Sequence, residues 1–182
     1  MKHKIRKHIK EKLNNHSELE KSRKSDIIKA RLFNEEEFKN ASVVMFYVSL
    51  KDEVNTFSMI DEALEAGKRI CVPVILKEEK RLIAGEIKNR KADLESQHFG
   101  IYQPIEGHVK EVPLSDIDLV IVPGIAFDKN NVRLGRGHGY YDRFLSGLPD
   151  TARTIGLAFD FQVVDNLPKD SHDIPVWKTI TA

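Results

Sequence analysis

Apolar residues recur at Ile5, Ile9 and Leu13, four positions apart, while Lys2, Lys4, Arg6, Lys7, Lys10 and Lys12 fill the positions between them. That spacing predicts an amphipathic helix from Met1 to about Asn14, with its apolar stripe docked on a core and its charges facing out. Ser17 and Glu20 have the spacing of a capping box and open a second predicted helix that runs to about Phe33. The period then changes. Val43–Val48 is apolar at every position and rich in β-branched and aromatic residues, which predicts a strand covered on both faces. Helical spacing returns over Phe57–Ala66, with Gly67 placed to stop it. Further on, Arg69–Ile75, Asp118–Val122 and Thr154–Phe159 read as buried strands and Val176–Thr181 as a short last one. Lys77–Lys80 reads as an exposed turn and Ala92–Glu95 as a short helix.

Short apolar strands alternating with helices predict an α/β fold: a single three-layer α/β/α domain over residues 1–182 around a mostly parallel, Rossmann-like sheet. Ligands of such sheets bind at the carboxyl ends of the strands. The loops after Val48 and after Val122 are therefore the places where function is expected.

Composition narrows the partners. With 29 basic and 28 acidic residues the net charge is +1, so no global field marks a nucleic-acid or membrane partner. No apolar run reaches the roughly 18–20 residues needed to span a bilayer, and the basic N-terminus lacks an apolar signal core. Cys71 is the single cysteine, set in an apolar strand, which suits a reducing compartment. The expectation is a soluble cytoplasmic protein, acting as a monomer.

The most informative stretch is Val132–Arg143, where Gly135, Gly137 and Gly139 alternate with Arg133, Leu134, Arg136, His138, Tyr140 and Tyr141. Glycine permits positive φ and lets backbone N–H groups approach a ligand, and the cationic side chains suggest that the ligand is an anion. The predicted strand before the loop and the helix starting at Tyr140 would aim a helix N-terminus at that anion, so phosphate is the expected guest. No Gly-Lys-Ser/Thr closes the run, so it is not a Walker A loop, and its glycine spacing is not that of a dinucleotide fingerprint. The bland alternative is a glycine-rich turn with solvated arginines.

Other candidate chemistry is sparse. The seven histidines show no zinc-ligand spacing, and no Gly-x-Ser-x-Gly elbow supplies a nucleophile. Lys2 and Arg6 share one face of the first helix, which could equally be a solvated basic face. Glu53, after a buried strand, could bind a polar ligand group or sit exposed in its loop. Asp142 and Asp173 could hold a hard cation against phosphates or serve as ordinary helix-end and turn aspartates.

Taken together, Pro123-Gly124-Ile125-Ala126-Phe127-Asp128 and Arg133-Leu134-Gly135-Arg136-Gly137-His138-Gly139-Tyr140-Tyr141-Asp142 resemble the signature of the 5-formyltetrahydrofolate cyclo-ligase family. Lys2-x-x-x-Arg6, Val48-Ser49-Leu50-Lys51-Asp52-Glu53, Phe99-Gly100-Ile101-Tyr102-Gln103-Pro104 and His172-Asp173-Ile174-Pro175 follow in the matching order. Two positions depart from the family pattern: His138, where Gly or Lys is frequent, and Asn131, where Gly is usual. Asn tolerates positive φ better than most residues, so that turn should survive.

The resemblance implies ATP-dependent closure of 5-formyltetrahydrofolate to 5,10-methenyltetrahydrofolate, with Mg²⁺ and ATP as the implied cofactors. It moves Lys2, Arg6, Glu53 and Asp173 into the site. Lys2, Arg6, Arg133, Leu134, Gly135, Arg136, Gly137, His138, Gly139, Tyr140 and Tyr141 would then surround the nucleotide, with Arg133 and Arg136 catalytic. Val48, Glu53 and Tyr140 would meet the folate, and Asp142 and Asp173 would hold Mg²⁺. Because the substrate supplies both nucleophiles, the missing Ser, Cys or dyad is what such a reaction would show. A phosphate-binding isomerase or acyl-CoA transferase on a similar sheet, and an RNA-binding module, compete with this reading. The first would need its own acid–base group and no ATP, and the second a broad basic stripe that the near-neutral charge disfavours.

Overall fold

A computed structural model describes residues 1–96, 102–105, 107–108 and 110–182. Phe99, Gly100 and Ile101 of the matching segment lie outside the described residues. The helices are α1 (Lys2–Asn15), α2 (Glu18–Asn34), α3 (Glu36–Asn40), α4 (Phe57–Glu65), α5 (Arg90–Asp93) and α6 (Tyr140–Leu145). Strands β1 (Val43–Met45), β2 (Arg69–Leu76), β3 (Arg81–Ile87), β6 (Lys110–Val112), β7 (Leu119–Val122), β10 (Arg153–Ala158) and β12 (Lys178–Thr181) form one sheet in the order β12-β10-β7-β1-β2-β3-β6. Within it, β12 through β2 run parallel, and β3 and β6 add an antiparallel edge. A hairpin of β4 (Leu94–Ser96) with β5 (Tyr102–Pro104) and a small sheet of β8 (Ala126–Asp128), β9 (Arg133–Leu134) and β11 (Val163–Val164) complete the fold.

The run of apolar residues in each central strand divides between two cores because successive side chains point to opposite faces. In β1 and just beyond, Val44 and Phe46 join one core, while Val43 and Met45 join the other. Strand β7 does the same, with Leu119 and Ile121 on one face and Val120 and Val122 on the other. The first core receives Ile9 and Leu13 of α1, Ile28 and Leu32 of α2, and Met59 and Ile60 of α4. The second receives Phe144 and Leu145 of α6 together with Ile117. Two cores sharing one sheet make the three layers that the strand composition predicted. Cys71 is one of the buried side chains, and that burial pushes its thiol up to about 12.

Some boundaries move for identifiable reasons. Strand β1 stops at Met45, three residues short of the predicted end, although the Phe46 N–H still reaches Cys71 O at 2.9 Å. Beyond it Thr56 takes over the backbone groups, donating to Tyr47 O at 2.6 Å and accepting the Ser49 N–H at 3.1 Å. The short helix begins at Arg90 rather than Ala92, because Asn89 Oδ1 accepts the N–H groups of Lys91 and Ala92 and caps it there. Leu94 then turns away into a strand. The capping box forms as expected, with Ser17 Oγ accepting the Glu20 N–H and the Glu20 carboxylate accepting the Ser17 N–H.

Where β7 ends, Phe127 presses its ring against two backbones. A Cβ on Gly124 would stand 2.5 Å from Phe127 Cζ, and one on Gly156 would collide with the same ring. Gly156→Ala is therefore expected to lower stability by about 1–3 kcal/mol through overpacking, and Phe127→Leu added to it should recover part of the loss in urea denaturation. Equal stability of Gly156→Ala and wild type would contradict this packing.

Candidate active site

Strands β1 and β7 are neighbours, and the chain proceeds outward from them in opposite directions, to β2 on one side and to β10 and β12 on the other. The crevice outside their carboxyl ends is the place where such a sheet accepts a ligand. Two loops meet there: residues 46–56 after β1 and residues 123–139 after β7.

The glycine loop is anchored from beneath. Arg133 is buried, its side chain 4% exposed, and it donates from Nη2 to Asp142 Oδ1 at 2.9 Å and from Nη1 to Pro123 O at 3.3 Å. The Ile174 N–H reaches the same Asp142 oxygen at 3.3 Å. Gly135 is needed for this close fit, since a Cβ there would stand 2.7 Å from Arg133 Nη1. Gly137 at φ +107° and Gly139 at φ +67° occupy the left-handed region, and Gly139 is the residue from which α6 starts. Asn131 adopts φ +59° and takes the Thr179 hydroxyl on Oδ1 at 2.9 Å, so the turn survives without glycine.

Helix α1 closes the loop from the other side. Its buried Ile9 and Leu13 seat it on the core, which brings Arg6 Nε to Gly135 O at 3.0 Å. The Arg6 guanidinium also faces Gly137, where a Cβ would lie 3.5 Å from Nη2. Lys2 donates to Asp170 Oδ2 at 2.7 Å and to Asp173 Oδ2 at 2.5 Å. The predicted first-helix pair, the glycine loop and Asp173 are thus brought together from opposite ends of the chain.

The loop after β1 is built around Glu53. Its Oε2 accepts the Leu50 N–H at 3.0 Å and its Oε1 accepts Arg136 Nη2 at 2.9 Å. Arg136 also reaches Asp52 at 3.2 Å. Partial burial opposes the charge of Arg136, and Glu53 and Asp52 outweigh it, holding its pKa above the ordinary value. A pocket beside Glu53 is lined by Lys21, Ser25, Leu50, Lys51 and Phe57. Val48 is half-buried against the first core.

Other predicted residues have more structural surroundings. The Leu134 side chain is in the core, and its carbonyl accepts the Ile125 N–H at 2.8 Å. The Tyr141 hydroxyl is buried without a partner among the described residues, and burial, aided by Glu53, pushes the phenol well up. Exposed His138 stacks on Tyr140 with 6.3 Å between ring centroids. Asp142 and Asp173 sit on adjoining segments, linked through the Ile174 N–H, and each faces a cationic side chain.

Three residues escaped the sequence reading. Asp52, Asp170 and Arg143 complete the site, the last donating from Nη2 to the carbonyls of Lys80 at 2.9 Å and His138 at 3.2 Å. Asp52 adjoins Glu53, and Asp170 lies three residues before Asp173. Nothing in the sequence links either to a cation more than eighty positions away.

The fold defines an α/β chain whose glycine loop, with Arg6 and Arg136 against it, lies beside the switch point of a parallel sheet. The 5-formyltetrahydrofolate cyclo-ligase family model matches residues 1–182, and the chain belongs to that family. It is 31% identical to the 5-formyltetrahydrofolate cyclo-ligase of Mus musculus, over 94% of this chain and 89% of that one. It is 32% identical to that of Escherichia coli strain K12, over 78% of each. A solved 5,10-methenyltetrahydrofolate synthetase from Aquifex aeolicus superposes with a TM-score of 0.85 at 35% identity, covering 99% of this chain and 89% of that one. The Mycoplasma pneumoniae 5,10-methenyltetrahydrofolate synthetase gives a TM-score of 0.78 at 26% identity, covering 98% and 97% respectively.

The bonds from Lys2 make the docking of α1 dependent on pH. Burial pushes the Asp173 carboxyl up, but the Asp170 N–H and Lys2 outweigh it and hold the pKa below its usual value. Desolvation disfavours charged Lys2, while Asp170 and Asp173 raise its pKa above the usual value. A depressed carboxyl stabilises above its unfolded pKa of about 3.9 and loses that effect as the pH falls through the folded value. A raised ammonium stabilises below its unfolded pKa of about 10.4 and loses that effect as the pH rises through the folded value. NMR order parameters of residues 2–6 are therefore expected to hold from neutral pH down to about 5 and to fall below about 4. Order that is indifferent to acid would show that this ion pair does not hold the helix.

Proposed function

We propose that this chain, as a single domain and a monomer, couples ATP hydrolysis to the closure of 5-formyltetrahydrofolate into 5,10-methenyltetrahydrofolate. The observation that carries the reading is the contact of α1 with the glycine loop, with Arg6 at Gly135 and Gly137, and the bond from Arg136 that joins the same loop to Glu53. Family membership supplies the folate chemistry.

The formyl oxygen is a poor leaving group on an amide carbon, so it first takes the γ-phosphoryl group of ATP and ADP departs. The N10 lone pair then attacks the activated carbon. The C–N bond forms as the C–O bond breaks, phosphate leaves and N10 gives up its proton. The protein's task is alignment and neutralisation of charge on the phosphoryl group. Backbone N–H groups of Gly135, Gly137 and Gly139 wrap the triphosphate, with His138 and Leu134 as neighbours. Lys2, Arg6 and Arg136 pair with its oxygens. Arg133 supports catalysis by fixing the loop and Asp142 beneath it. Tyr140 and Tyr141 stand between nucleotide and folate, and Val48 and Glu53 meet the pterin, whose ring N–H groups a carboxylate can accept.

Asp173, whose ligand atom lies within 4.8 Å of those of Asp170 and His172, and Asp142 would offer hard carboxylate oxygens to Mg²⁺, Asp173 by giving up its bond from Lys2 and Asp142 through the oxygen that Arg133 leaves open. Bound there, Mg²⁺ would neutralise phosphate charge. Among the described residues no helix is long and apolar enough to cross a membrane. The buried free thiol of Cys71 suits a reducing cytoplasm.

Mixing the protein with Mg-ATP and 5-formyltetrahydrofolate should raise the near-ultraviolet absorbance of the methenyl product only when all three are present. Arg136→Ala should lower kcat/KM roughly 10- to 100-fold, the loss of a charged hydrogen bond to phosphate. Product formation without nucleotide, or an unchanged kcat/KM in Arg136→Ala, would contradict these roles.

A further inference from the structure

Among the described residues, the side-chain hydrogen bonds between the loop after β1 and the glycine loop all come from Arg136. Arg136 is 45% exposed and grips both Asp52 and Glu53, residues more than eighty positions earlier in the chain. The two carboxylates are not equivalent. Glu53 is 14% exposed and oriented by the Leu50 N–H, whereas Asp52 is 45% exposed. Among the described residues, the only bond from the Asp52 carboxylate is to Arg136. Glu53 is thus the fixed jaw of the clamp and Asp52 the adjustable one.

This arrangement occupies two groups at once. The Nη2 of the guanidinium that should meet a phosphate is already shared between two carboxylates, which leaves the Nε and Nη1 donors for phosphate until those bonds are broken. The Oε1 atom of Glu53, which should accept a pterin N–H, is already accepting from Arg136. Arg136 and Asp52 are both half-exposed, so their contact sits where ion pairs are weak and screened by salt, and Arg136 approaches the more buried Glu53 from the solvent side. A ligand phosphate or a ring N–H can therefore displace these contacts.

We propose that Asp52 is a positioning residue that, with Glu53, holds Arg136 between the two loops, and that this ion pair couples nucleotide and folate binding because filling either site frees the group that the other needs. The proposal rests on the function proposed above. A triphosphate draws Arg136 away and leaves Glu53 Oε1 open to the pterin. A pterin on Glu53 leaves Arg136 open to the triphosphate. Coupling of this kind is reciprocal, so each ligand tightens the other by the same factor. Because the clamp is electrostatic and half-exposed, the factor shrinks as salt rises.

The test is calorimetric titration with the non-hydrolysable ATP analogue adenylyl imidodiphosphate and Mg²⁺, at low salt, with and without saturating 5-formyltetrahydrofolate. Wild type, Asp52→Asn and Asp52→Glu are compared, each checked for native circular dichroism. Folate should tighten nucleotide binding to wild type by about 5-fold or more. Asp52→Asn should bind the nucleotide more tightly than wild type when folate is absent and should lose at least half of the coupling, while Asp52→Glu keeps it. A wild type indifferent to folate, or an Asp52→Asn with full coupling or weaker nucleotide binding, overturns the clamp and leaves the ATP-dependent reading standing. A wild type that binds no nucleotide at all, with or without folate, overturns the proposed function and the clamp together.

Discussion

The buried guanidinium of Arg133 is the constraint on which the rest of the site depends. A buried charge must be paired and hydrogen-bonded, and removing one partner from such a pair typically costs about 3–5 kcal/mol. Here the pairing recruits four segments: Pro123 at the end of β7, Arg133 itself on β9, Asp142 on α6, and Ile174 before the last strand through the shared carboxylate. Once these are tied, Gly135 has room for no side chain, and the chain must rise over the guanidinium before α6 begins. The left-handed glycines that follow let it do so without strain. Gly135 is thus a consequence of that buried pair, while Gly137 and Gly139 are called for by their backbone angles.

The exposed face of the same loop is left for function. Arg6 and Arg136 bracket it from α1 and from the loop itself, and their partners in this structure are a backbone carbonyl and two carboxylates. These contacts are of the kind a polyanion can displace, whereas the Arg133–Asp142 pair is not. The site therefore separates a rigid floor from a cationic rim that can rearrange, which is the division of labour that phosphoryl transfer asks for.

Much of this was legible in the chain. The three-layer sheet followed from apolar strands between amphipathic helices, and the capping box at Ser17 and the stop at Gly67 are local chemistry written in a few residues. The antiparallel edge was not legible. In β3, Arg81-Leu82-Ile83-Ala84-Gly85-Glu86-Ile87 carries neither clean alternation nor a continuous apolar run, and Gly85 weakens its strand signal. It is held by its register with β2, a long-range fact. In the site, the glycine loop announced itself by composition. The burial of Arg133 did not, because a cation beside glycines reads as a ligand for anions until its partner Asp142 is placed against it. Asp52 and Asp170 were invisible for the same reason: their meaning lies in cations brought from distant parts of the chain.

On the function proposed above, α1 and the glycine loop together receive the nucleotide. Hydrogen exchange followed by mass spectrometry, on adding adenylyl imidodiphosphate with Mg²⁺ to the intact protein, addresses it directly. Slowed exchange is expected in residues 2–6 and in residues 133–142 at the same nucleotide concentration, with strands β2 and β3 little changed. Protection confined to another face, or in one of the two segments without the other, would contradict it.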